Sequence, residues 1–186
     1  LFKFNHVTVT KKGFLSNEKG SKILKEHISA KTFEELETPL YVTASNLNEG
    51  KVEYFHEGDI IDKVIASASI PVLYKPTMMN GKTYVDGGIF DNLPIDPIKD
   101  QCGKLIASHV NPVGYEDDLD SILHIAQRTF HLAVGANVSQ KIPMCDLYIE
   151  SEKLKEYSIL SLTKGPEIFE IGYETTMKIL EKNNPF

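Results

Sequence analysis

Arginine is nearly missing from this sequence: Arg128 stands alone among 186 residues, and Asp plus Glu outnumber Lys plus Arg by 26 to 20. The resulting formal charge of −6 speaks against nucleic acid as a partner, because phosphate binding needs Lys and Arg clustered on one face. Cysteine is equally scarce. Cys102 and Cys145 are too few and too far apart for a disulfide framework or a Cys-x-x-Cys metal site. Both are therefore expected as reduced, buried thiols, which suits a reducing, cytoplasmic compartment. No apolar run approaches the ~20 residues that span a bilayer. The start, Leu1-Phe2-Lys3-Phe4-Asn5, lacks an initiator Met and the charged, apolar and small-residue regions of a signal peptide. It reads as the middle of a longer protein.

What is present is ordinary for a soluble globular chain, with 41% hydrophobic and 25% charged residues. The length suits one domain that buries roughly two thirds of its unfolded surface. Alternation over 4–10 predicts an extended lead-in, and Ser16-Asn17 offers a cap for a helix over 18–28 with Ile23, Leu24, His27 and Ile28 on one face. A short helical start is expected at 32–35. β-formers at 40–44 and 51–56, separated by Asn46-Leu47-Asn48-Glu49-Gly50, predict a hairpin. Asp59 is the expected cap of a helix over 60–67 that Pro71 ends.

Asn80-Gly81 is the strongest turn signal in the chain, so 77–79 and 82–85 should pair across it and leave Asp86 at a strand end. A short helix is expected from Pro94 toward Gln101, then a buried strand at 105–110. Asp117-Asp118-Leu119-Asp120 reads as a solvated loop and helix cap before a helix over 121–139. A strand at 146–150 and a helix from Pro166 toward Glu181 complete the pattern. Strands alternating with helices point to a three-layer α/β domain.

The stretch from Lys82 to Pro94 carries the chemistry. Tyr84 and Val85 tie the backbone of Asp86 into a strand, and Gly87 and Gly88 let the chain turn away without side chains crowding a substrate. That is a mounting for a catalytic carboxylate, although Asp-Gly-Gly taken alone could equally be a turn in which Asp86 bonds its own backbone. A carboxylate base needs shielding from water, or its pKa stays near ~4 and it is feeble at neutral pH.

The flanking segments, in order, resemble the patatin-like phospholipase family. Gly50-Lys51-Val52-Glu53-Tyr54-Phe55 is similar to a family strand, and Ala66-Ser67-Ala68-Ser69-Ile70-Pro71 to its Ala-Ser-x-Ala-Ile-Pro stretch. The block from Gly81 to Pro94 is similar to its Asp-Gly-Gly block, which closes on Asn92 and Pro94. Leu105-Ile106-Ala107-Ser108, Cys145-Asp146-Leu147-Tyr148-Ile149 and Gly172-Tyr173-Glu174-Thr175-Thr176 continue the likeness toward the C-terminus.

The resemblance implies a three-layer α/β/α fold around a central, mostly parallel sheet. It also implies a lipid acyl hydrolase, phospholipase or esterase, that uses a serine–aspartate dyad, no histidine and no cofactor or metal. By position Asp86 matches the base, with Gly87, Gly88, Asn92 and Pro94 supporting the motif. Gly-x-Ser-x-Gly and the glycine-rich oxyanion loop are absent from these 186 residues. Residues 1–186 are accordingly expected to be the C-terminal portion of a single patatin-like domain, incomplete without an N-terminal segment or partner chain and inactive alone. The alternative is a catalytically inactive patatin-like protein that binds lipid or another partner. The implied substrate is a lipid or acyl ester, met through transient contact with a membrane surface.

Ser67 and Ser69 lack a strand-turn-helix elbow and adjacent glycines, so they are expected as small packing residues near the Asp86 turn and not as nucleophiles. His124, Arg128 and His131 share one helix face and are expected to be a solvated polar surface; the histidine spacings show no metal-ligand pattern. Met78-Met79 should pack in the hairpin, with an acyl-chain entrance as the other reading.

Overall fold

The computed structural model describes residues 16–71, 73–117, 119–157 and 162–183; the extended lead-in expected over 4–10 lies outside them. The chain divides into two units, Leu1–Asp91 and Asn92–Phe186.

In the first unit, helix α1 (Glu18–His27) and a 3₁₀ turn (Phe33–Glu35) precede strands β1 (Val42–Asn46) and β2 (Lys51–Phe55). Helix α2 (Ile61–Ser67), β3 (Thr77–Met79) and β4 (Lys82–Asp86) follow. The sheet order is β2-β1-β4-β3, and every pairing in it is antiparallel. Both hairpins lie where their turn residues put them. Asn80 and Gly81 take φ of 49° and 75°, the paired positive values of a type I′ turn, and Gly50 takes 65°.

Strand β1 lies between two neighbours and is buried at all five positions, three of them polar. Its polar groups are largely satisfied: Asn46 donates to Glu53 Oε1 at 2.7 Å and accepts the amides of Asn48 and Glu49. Two apolar clusters build this unit, one around Phe33, Val42 and Ile60, the other around Ala44, Ala66 and Tyr84.

The second unit holds β5 (Ile106–His109), α3 (Ile122–Ala136), β6 (Leu147–Glu150) and α4 (Gly165–Asn183). β5 and β6 pair in parallel with α3 as the crossover between them, and Leu93, Ile95, Leu105, Ala107 and Val138 form the core.

The fold is mixed α/β, consistent with the patatin-like α/β/α class. Parallel pairing among the described residues is confined to β5 and β6, against a mostly parallel expectation. The reason is connection length, since β1–β2 and β3–β4 are joined by tight turns that can only link antiparallel strands.

Several local expectations are corrected. Asp59 does not cap α2; it bridges Thr32, and Ile60 occupies the cap position. Residues 96–101 form successive turns and no helix follows Pro94, the turns being closed by bonds such as Lys99 N to Ile95 O at 2.9 Å. Strand β5 is buried on one face only, through Ala107 and His109. The α3 cap is Ser121, whose Oγ accepts the His124 amide at 3.1 Å. Cys102 is exposed and Cys145 half-buried; both are free.

The face of α3 expected to be solvated instead straps down the preceding loop. His124 Nε2 meets Glu116 at 2.5 Å, the Arg128 guanidinium donates to the Gly114 carbonyl, and His131 Nε2 reaches the Asn111 carbonyl at 3.1 Å. No helix among the described residues is long and apolar enough to cross a membrane.

Candidate active site

Asp86 is the last residue of β4, opposite Ala44 of β1. The strand ends there as Gly87–Ile89 closes into a 3₁₀ turn, paired glycines being poor residues for continuing a strand. The Asp86 amide leaves the sheet and donates to the carbonyl of Ser69 at 3.0 Å, in the segment after α2. One carboxylate oxygen, Oδ1, accepts the Gly88 amide at 2.8 Å. The turn reading of Asp86 is met, since Oδ1 bonds its own turn, and Oδ2 has no hydrogen-bond partner among the described residues.

Burial pushes the Asp86 carboxyl above its ordinary value, and the Gly88 N–H opposes this only in part. A carboxylate so placed binds a proton more readily than a solvated one.

Gly87 is required by space rather than by φ. A β-carbon there would fall 2.4 Å from the Thr43 carbonyl oxygen and 2.8 Å from Thr43 Cγ2. Beside it, Ser45 Oγ donates to the Gly87 carbonyl at 3.3 Å. The buried Thr43 hydroxyl has no hydrogen-bond partner among the described residues. On the far side of the turn the Asp91 amide returns to the Gly87 carbonyl at 3.0 Å, and the buried Asp91 carboxylate accepts the Tyr54 hydroxyl from β2 at 2.5 Å.

The strand behind Asp86 is held equally firmly. Tyr84 is buried and donates to Glu53 Oε2 at 2.8 Å; burial first and that hydrogen bond second push its phenol up to about 12.

Of the five motif residues, Asp86, Gly87 and Gly88 come together in the first unit. Asn92 and Pro94 belong to the second, where Asn92 donates its amide to Asn137 Oδ1 at 2.9 Å and Leu93 and Ile95 enter the core. Among the described residues Ser67 takes no part in this network, whereas Ser69 is fully buried and its carbonyl accepts the Asp86 amide. Met78 is 61% exposed, while Met79 packs on the Ala44 cluster.

Sequence reasoning did not anticipate Tyr54, Asp91 or the hydroxyl of Ser69 as parts of this site. Their partners lie 37 and 52 residues away in sequence, for Tyr54–Asp91 and Asn17–Ser69, and no local spacing encodes such pairs. Among the described residues no three His, Cys, Asp or Glu side chains cluster to hold a metal. A cleft of about 620 Å³ in the same unit is lined by residues such as His27, Lys31, Asp59 and Asp62 and includes none of the motif.

A model of the patatin-like phospholipase family matches residues 1–99, the half that contains the whole Asp86 block. The chain belongs to the patatin-like phospholipase family. Individual relatives agree. An uncharacterized NTE family protein of Mycobacterium bovis is 31% identical over 91 residues, covering 49% of this chain and 25% of that protein. Lysophospholipase nte1 of Aspergillus fumigatus is 25% identical over 170 residues, covering 76% of this chain and 11% of its own length. Lysophospholipase NTE1 of Meyerozyma guilliermondii is 25% identical over 161 residues, covering 72% and 11%. The chain therefore spans only 25% of the length of the first of these relatives and 11% of the other two.

Proposed function

We propose that this chain is part of a lipid acyl hydrolase in which Asp86 is the base, while the nucleophilic serine and the oxyanion donors lie outside these 186 residues. The observation that carries the reading is the Asp86 carboxylate itself: buried enough to be raised in basicity, fixed at one oxygen by Gly88, and without a hydrogen-bond partner at the other among the described residues.

In the reaction, Asp86 Oδ2 accepts the proton of the serine hydroxyl as its oxygen attacks the ester carbonyl. The proton then passes to the departing alcohol, leaving an acyl-enzyme. Water attacks that acyl group as Asp86 takes its proton, and Asp86 returns the proton to the serine oxygen as the bond to the acyl carbon breaks and the fatty acid leaves. The substrate class is a fatty-acyl ester of a phospholipid or lysophospholipid, supported by the family and by the names of the fungal relatives. A cytoplasmic enzyme touching membranes transiently fits such a substrate. Asp86 alone supplies neither nucleophile nor oxyanion donors, so residues 1–186 by themselves should not turn over.

The second reading is a catalytically inactive patatin-like protein that binds lipid or another partner. A fluorophosphonate probe applied to the full natural protein separates the two. Labelling of a single serine supports the hydrolase; a protein that binds lysophosphatidylcholine vesicles but takes no label supports the binding protein.

A further inference from the structure

Ser69 lies between the end of α2 and Pro71, in the segment that receives the Asp86 amide. The residue is 0% exposed, and a hydroxyl buried that deeply must have its bonds accounted for. All are. Oγ donates to the Ile65 carbonyl at 2.6 Å, accepts Asn17 Nδ2 at 2.8 Å, and lies 3.2 Å from Thr77 Oγ1, whose proton fills the remaining lone pair.

Each partner gives something up to be there. The Ser69 amide turns to Ala66 O at 3.1 Å, so the side chain replaces it as the partner of Ile65 O at the end of α2. Asn17 sits at the cap position of α1 yet makes no capping bond; its amide group reaches Ser69 and the Lys75 carbonyl, at 3.0 Å, instead. One buried oxygen thus ties the start of α1, the end of α2 and β3 together. The carbonyl of the same residue receives the Asp86 amide at 3.0 Å.

We infer that Ser69 is a positioning residue for the reaction: its buried hydroxyl fixes the peptide that holds Asp86, and thereby the distance and direction of the carboxylate toward the nucleophile. This rests on the assignment of Asp86 as base. Ser69 is not itself a nucleophile, because its only proton is committed to Ile65 O and no face of it is open.

The test uses the full natural protein and p-nitrophenyl butyrate, with kcat and KM measured across pH for wild type, Ser69→Ala, Asn17→Ala, the double variant, Ser69→Cys and Asp86→Asn. A base displaced by a fraction of an ångström loses turnover and not substrate binding, so Ser69→Ala should lower kcat ~10-fold with KM within about twofold. Its acid limb should move to lower pH as water reaches the loosened carboxylate. Asn17→Ala should shift both in the same direction, the double variant should fall no further than Ser69→Ala, and Ser69→Cys should recover part of the loss.

If Ser69→Ala does not fold, Asn17→Ala carries the test by the same criteria. Unchanged kcat and acid limb alongside an inactive Asp86→Asn overturn the inference and leave the base assignment standing. Wild-type turnover in Asp86→Asn overturns the base assignment and the inference with it.

Discussion

The backbone of Thr43 runs so close beneath Gly87 that a β-carbon on the glycine would sit 2.4 Å from the Thr43 carbonyl oxygen and 2.7 Å from its carbonyl carbon. Strand β1 and the turn after Asp86 therefore interlock through main chain, which cannot swing aside as a side chain can. Gly87→Ala is expected to destabilise the fold by about 3 kcal/mol, at the upper end of overpacking costs, in urea unfolding. Gly103→Ala, where an added β-carbon meets nothing within 4 Å, should stay within about 0.5 kcal/mol of wild type.

Stability should report the burial of Asp86 independently of any substrate. Its native pKa is raised, so between the unfolded and native values the native state holds more protons, and stability falls as pH rises through that window. Asp86→Asn removes this titration while keeping an acceptor for Gly88. The variant should melt at a higher temperature than wild type at neutral pH, and the two melting temperatures should converge below about pH 4.

Glu150 carries the opposite sign. Burial raises its carboxyl, but bonds from Tyr148 at 2.6 Å and His109 at 2.6 Å outweigh it and hold the pKa below the ordinary value. Stability from this group is present above the unfolded pKa and lost as pH falls through the native one. Glu150→Gln should cost about 1–2 kcal/mol at neutral pH, a gap that narrows in acid when unfolding is followed by circular dichroism.

The turn at Asn80-Gly81 offers a control remote from the chemistry. Gly81 holds φ at 75° with nothing within 4 Å of an added β-carbon, so Gly81→Ala should cost about 1 kcal/mol from backbone strain alone. Activity per folded molecule of the full protein should not change.

What could be read from the residues was local. The hairpin at Asn80-Gly81, the helix from Glu18 and the strand ending on Asp86 each follow from turn chemistry or periodicity within a dozen residues, and each is where that chemistry put it. Asp59 misled because a capping side chain competes with tertiary pairing, here its bridge to Thr32. The short helix after Pro94 failed because Leu93 and Ile95 are drawn into the core and the chain there is held by successive turns. The bonds that shape the site, Asn17 to Ser69 and Tyr54 to Asp91, join residues distant in sequence, and only the folded chain brings them together.

Turnover by Asp86→Asn in the full natural protein tests the central claim most directly. With lysophosphatidylcholine or p-nitrophenyl butyrate as substrate, loss of the base should lower kcat ~10²–10⁴-fold while the folded structure is kept. Turnover at the wild-type rate would contradict the account.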